Sequence, residues 1–152
     1  MSTPTTDLTT AELQSIADVM AAAGTTPAAP LTSSLIAGGR SNLTFKLTDG
    51  ASTWVMRTPP RAGRTPSAHD VVREYRVIKA LGATDVPVAP AVVAHEEEDL
   101  IGGAFAICGF VEGRAIQTAA ELDELPDAQI ASAVTALTGS LAALHAVDHV
   151  AI

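Results

Sequence analysis

The chain is 152 residues long, 47% apolar, 17% charged and 3% aromatic. That length holds one domain, or one domain and part of another, and so much Ala, Val, Leu and Ile excludes a disordered or low-complexity chain. The net charge of -8 is unevenly spread: eight of the nine basic residues fall between Arg40 and Lys79, a segment of net +5 in a chain whose remainder carries -13, which points to a local anion site rather than a polyanion surface.

In chain order, residues 7–23 read as an amphipathic helix, with Thr9 or Thr10 as N-cap and Leu13, Ile16, Val19 and Met20 on one face. Gly24 ends it, and residues 25–30 are a Thr/Pro/Ala linker. Three strand-like segments follow at 31–37, 43–48 and 53–57, turned by Gly38-Gly39 and Asp49-Gly50; Asp-Gly between alternating segments is a strong hairpin signal. Residues 59–66 form a basic, Pro-rich loop. A helix is predicted from Ser67 to Leu81, with Val71, Val72, Tyr75, Ile78 and Leu81 at helical spacing and Gly82 as its stop.

Residues 86–90 are extended, and two more strands are predicted at 91–96 and 104–111, joined by an acidic turn over 97–103. Glu112-Gly113-Arg114 leads into an acidic surface patch. The last helix, 127–147, carries Ile130, Val134, Leu137, Leu141 and Leu144 as one apolar stripe, and that stripe wants a partner. The predicted fold class is α+β, an antiparallel five-stranded sheet covered by helices.

With Trp54, Tyr75, Phe45, Phe105 and Phe110 as its only aromatic residues, the chain has no platform of stacked rings, and no nucleic-acid partner is expected. No apolar run approaches the roughly 18–20 residues that cross a bilayer, and the first ten residues lack the regions of a secretory leader. A cytoplasmic protein without a membrane partner is therefore expected. The single Cys108 reads as a buried reduced thiol. His69, His95, His145 and His149 show no metal-ligand spacing, so no metal ligands are expected here. Glu96 to Asp99 reads as a solvated turn, and there is no Gly-x-Ser-x-Gly elbow or Walker A sequence.

Three features carry chemistry through their order. Gly38, Gly39, Arg40, Ser41 and Asn42 sit at a hairpin tip, where glycines let backbone N–H groups approach an anion and Ser and Asn add donors. Arg57 ends the third strand, where a kinase-like fold places the cation that binds the α/β-phosphates. Glu74 falls mid-helix seventeen residues later, positioned to pair with Arg57 and hold it. Each alone is an ordinary turn, strand end or helix face; together they form a sequence of parts. An apolar strand then runs into Gly109, Phe110 and Val111, suited to a hinge whose backbone pairs with an adenine edge.

The segments Ile36 to Phe45, Val55 to Pro60, Pro66 to Arg76, Asp85 to Val88 and Phe110 to Arg114 together resemble the aminoglycoside phosphotransferase (choline kinase-like) family, most of all the phosphotransferase domain fused to certain acyl-CoA dehydrogenases. The resemblance covers residues 31–149. It implies a protein kinase-like N-lobe over 31–112, after an N-terminal helix and linker over 1–30, and the start of a helical C-lobe over 113–152. It also implies ATP and Mg2+ as cofactors, with Gly38 to Asn42 over the phosphates, Arg57 on the α/β-phosphates, Glu74 as its partner and Gly109 to Val111 as the hinge. The partners implied are a nucleotide, a small-molecule hydroxyl acceptor, and the remaining C-lobe or another protein covering the stripe from Ile130 to Leu144.

Two departures stand out. Arginine occupies the place where most kinase-like proteins have lysine; it keeps the charge with a bulkier fork. The family's His-Gly-Asp catalytic loop and its metal-binding Asp are expected beyond His145 and do not occur in the 152 residues, so the chain alone is expected to be inactive. The alternative reading is a non-catalytic nucleotide-binding or protein-interaction module with a kinase-like lobe.

Overall fold

A computed structural model describes residues 7–38, 42–60, 70–148 and 150. In order the elements are α1 (Thr10–Ala22), β1 (Thr32–Gly38), β2 (Leu43–Thr48), β3 (Thr53–Thr58), α2 (Val71–Leu81), β4 (Ala91–His95), β5 (Phe105–Gly109), α3 (Ala119–Asp123) and α4 (Asp127–His145). The strands form one sheet in the order β1-β2-β3-β5-β4, every neighbouring pair antiparallel. The chain divides into two compact units, residues 1–79 with 89–110 and residues 80–88 with 111–152.

In the first unit, strand alternation decides what is buried. Along β2 and β3 every second side chain is buried, and Phe45, Leu47, Trp54 and Met56 point to one face with Phe105 and Ile107 of β5. Helix α1 covers that face with Ile16 and Met20, both fully buried, and Leu31 and Ile101 complete the cluster. Thr9 caps α1 by accepting the Glu12 amide while the Glu12 carboxylate accepts the Thr9 amide, so two orphan donors of the first turn are satisfied at once. Gly24 ends the helix with φ +92°, a conformation glycine adopts without strain.

The β2–β3 turn is built around Asp49, whose side chain accepts the amides of Ala51 and Ser52 and, through its other oxygen, the amide of Ala28 in the linker. These amides, Ser52 first and Ala28 next, hold its carboxyl below the ordinary value of 3.8. Gly50 takes φ +89° at the tip.

Several boundaries move from their predicted places for local reasons. Helix α2 begins at Val71 because Asp70, itself outside the helix, accepts the Arg73 amide at 2.8 Å as a cap does; the predicted start, Ser67, lies outside the described residues. Strand β5 ends at Gly109, whose amide donates at 2.8 Å to the carbonyl of Pro90, the residue just before the neighbouring strand β4. The acidic segment after β4 is more than a solvated turn: Glu96 pairs with Arg76 at 2.6 Å, and Asp99 bonds the His95 ring at 2.7 Å. That bond to His95 lowers the Asp99 pKa. The His95 ring in turn stacks on Phe105, with centroids 5.3 Å apart.

In the second unit, α3 lies where only an acidic patch was expected, started by a Thr118/Glu121 capping box. The amides of Gln117 and Thr118 lower the Glu121 pKa. Helix α4 ends at His145, two residues short of its predicted end, and has no buried residue. Val134, Leu137, Leu141 and Leu144 are all exposed, Leu137 by 70%. No helix among the described residues is long and apolar enough to cross a membrane.

Candidate functional site

The sheet face opposite α1 carries the other half of each strand's alternation. Thr44 and Lys46 from β2, Val55 and Arg57 from β3, and Ala106 and Cys108 from β5 lie on it, half-buried rather than buried. Register fixes their neighbours: Lys46 pairs with Val55 and Val55 with Cys108, while Thr44 pairs with Arg57 and Arg57 with Ala106.

Helix α2 meets this face. Val71 is buried, and the Tyr75 hydroxyl reaches the Val92 carbonyl at 3.4 Å. Glu74, one helical turn beyond the Asp70 cap, places its carboxylate 2.7 Å from Arg57 Nη1. Both side chains remain partly open, 43% and 39% exposed, so the guanidinium is anchored on one edge and available to solvent on another. Arg57 Nε is buried without a hydrogen-bond partner, which leaves the Nη groups as the donors a ligand can reach. Beside the pair is a cavity of about 20 Å³, with Val71, Tyr75, Ile78 and Cys108 in its wall. Burial pushes the Cys108 thiol above its ordinary value of 9.0, and nearby Arg57 pulls the other way.

The other expected site residues are placed unevenly. Gly38 is the last residue of β1, opposite Leu43, so it belongs to the strand rather than to the turn. Asn42 is buried at 6% exposure, and Gly39, Arg40 and Ser41 lie outside the described residues. Of the hinge residues, Gly109 donates its amide to Pro90 and Phe110 donates to the Thr53 carbonyl at 3.2 Å. A Cβ at position 109 would stand 3.3 Å from Pro90 Cδ, so the close backbone approach favours glycine there. Val111 is 67% exposed and is the first residue of the second unit's main segment.

One residue on this face was not anticipated. Lys46 holds its ammonium 4.9 Å from the centroid of the Phe110 ring, within cation–π range. Its signal in the sequence is period-two spacing in the strand before Arg57's, readable only once the strand order is known.

Among the described residues, no group of three His, Cys, Asp or Glu side chains converges to hold a metal. The described residues do not fit a magnesium site. An anchored, partly open guanidinium beside an apolar strip fits an anionic ligand with a flat apolar portion.

Residues 32–152 match the family described as Phosphotransferase enzyme family. The chain is 34% identical over 122 residues to acyl-CoA dehydrogenase family member 11 of Gallus gallus, covering 80% of this chain and 15% of that protein. The Homo sapiens protein of the same name is 32% identical over 120 residues, covering 79% and 15%. A crystal structure from Ralstonia eutropha JMP134, assigned as an aminoglycoside phosphotransferase, is similar with a TM-score of 0.66 and 39% identity over 82% of this chain and 35% of that one. The chain thus spans about one seventh of these curated relatives and a third of the solved neighbour. A family match covering most of the chain, and a likeness in fold to that phosphotransferase, agree with the five-stranded antiparallel sheet and its Arg57–Glu74 pair: the chain belongs to the phosphotransferase enzyme family and has its protein kinase-like fold.

Proposed function

We propose that this chain is the nucleotide-binding portion of an ATP-dependent phosphotransferase acting on a small-molecule hydroxyl. The observation that carries the reading is the 2.7 Å contact between Arg57 and Glu74. A carboxylate that fixes a strand-borne cation holds it ready for the α/β-phosphates without reorganisation at the moment of reaction. The backbone around Gly38 to Asn42 would lie over the phosphates and the segment from Gly109 to Val111 along the adenine.

In the transfer, the bond between the γ-phosphorus and its bridging oxygen breaks, a new bond forms to the acceptor oxygen, and ADP leaves. The acceptor's proton passes to a carboxylate base. The 152 residues contain no His-Gly-Asp sequence to supply that base. The role of this chain's own residues is therefore to bind and orient, which can account for a large share of a phosphotransferase's rate. The curated relatives are named acyl-CoA dehydrogenase family members, so a hydroxylated acyl thioester belongs in the acceptor panel beside sugars, amino alcohols and choline.

A second reading has its own support: the exposed stripe of Val134, Leu137, Leu141 and Leu144 suits a protein-interaction module. One titration followed by one assay separates them. The 152-residue chain is expected to bind ATP and to give no turnover with MgATP and the acceptor panel, while the protein carrying it together with a His-Gly-Asp loop turns over. Turnover by the 152 residues would sink the claim that the base lies outside them, and failure of any preparation to transfer phosphate would favour the interaction module.

A further inference from the structure

We propose that Lys46 is a second ligand-binding cation, gripping the base end of the nucleotide whose phosphates Arg57 holds; this rests on the nucleotide-binding reading above. Lys46 and Arg57 share the open sheet face, on adjacent strands. Arg57 pairs with Ala106, and Phe110, under the Lys46 ammonium, lies four residues further along the same chain segment. At about 3.3 Å per residue the backbone from Ala106 to Phe110 spans roughly 13 Å, the scale of a nucleoside diphosphate. Between them lie Val55, Ala106 and Cys108, an apolar strip on which a flat ring can pack.

Charge pairing separates Lys46 from the described arginines. Each of the four described arginines, Arg57, Arg73, Arg76 and Arg114, reaches a carboxylate within 4.0 Å. Lys46 meets only the Phe110 ring among the described residues, so its charge is free to serve a ligand. Hydrogen bonding points the same way. The amides of Gly109 and Phe110, which would otherwise read the base edge, are both donated inside the sheet. An ammonium with three N–H donors supplies what those amides cannot, to the ring nitrogens of a purine.

Ligand-observed NMR competition on the full chain, with ATP, ADP and adenosine, tests this. Lys46→Met, which keeps the stem and removes the charge, is expected to weaken all three ligands by the same factor, about 3- to 20-fold, with an unchanged melting midpoint. Lys46→Arg should recover most of the loss, and Lys79→Met, at the other described lysine that lies over a ring, should change nothing. Arg57→Ala should weaken ATP more than adenosine. Lys46→Met binding all three like the parent protein overturns the proposal, as does a loss confined to ATP and ADP, which would make Lys46 a diffuse charge. A parent protein that binds none of the three overturns the nucleotide reading itself, an outcome visible before any variant is made.

Discussion

Arg57 Nη1 stands 2.7 Å from Glu74 Oε2, joining the third strand of the sheet to the helix that follows it. Because both side chains are more than a third exposed, the pair contributes at most about 1 kcal/mol to stability. Its weight lies in where it holds the guanidinium.

Glu74→Gln is therefore expected to shift stability by less than about 1 kcal/mol in chemical denaturation yet to lower ATP affinity several-fold, because Arg57 loses its fixed position. A double-mutant cycle with Arg57→Ala reads the coupling in binding. Additive losses would mean that the two residues act separately.

Arg57→Ala should weaken ATP binding by about 10- to 100-fold, the range for losing a charged hydrogen-bond donor. Arg61→Ala and Arg64→Ala, in the same basic segment, should each weaken it far less. Equal losses at all three positions, measured by calorimetry, would reduce the segment to diffuse charge.

The strands were legible because period two dominates their sequence: the predicted 43–48 segment is β2 to the residue, and Asp49-Gly50 opens the turn it was expected to make. The approach of Arg57 and Glu74 was legible because a strand end and the middle of the next helix lie close in chain order. Two things were not. Helix α3 spans five residues, too few to show periodicity, although Thr118-x-x-Glu121 spelled its cap. The Lys46–Phe110 contact and the use of the Gly109 and Phe110 amides inside the sheet depend on β5 inserting between β3 and β4, and no local pattern encodes that order.

Asp49 gives a pH signature. Its pKa is lowered in the folded chain by the Ser52 and Ala28 amides, so its contribution is complete above the ordinary carboxylate range and is lost as pH falls through the lowered value. Asp49→Ala should lower the melting midpoint at pH 7 and shrink that difference as the pH drops below 4. A difference that stays constant down to pH 2 would rule out the linkage.

Burial of the Cys108 thiol predicts slow chemistry. With its pKa raised, alkylation by iodoacetamide at pH 7 should be well below that of a free thiol and should climb steeply above pH 9. Saturating ATP should slow it further, since Cys108 lies on the same face as Arg57. Alkylation at the free-thiol rate would contradict the packing.

In the core, Phe45→Ala should cost about 3–5 kcal/mol and Met20→Ala about 2–5 kcal/mol, read by urea denaturation. A cost near zero at Met20 would mean that α1 is not part of the folded unit, against its place in the buried cluster.

The strand order β1-β2-β3-β5-β4 also sets a timetable. Strands β1 to β3 close through short connections, whereas joining Arg57 to Ala106 across β3 and β5 must first draw in a loop of about fifty residues, whose closure entropy has to be met before the pairing repays it. The pairing of β5 with β3, which completes the open face, is therefore the late event of folding. Pulse-labelled hydrogen exchange should find the amides of β2 protected before those of β5, and a destabilised variant should lose ligand binding while its first hairpins persist.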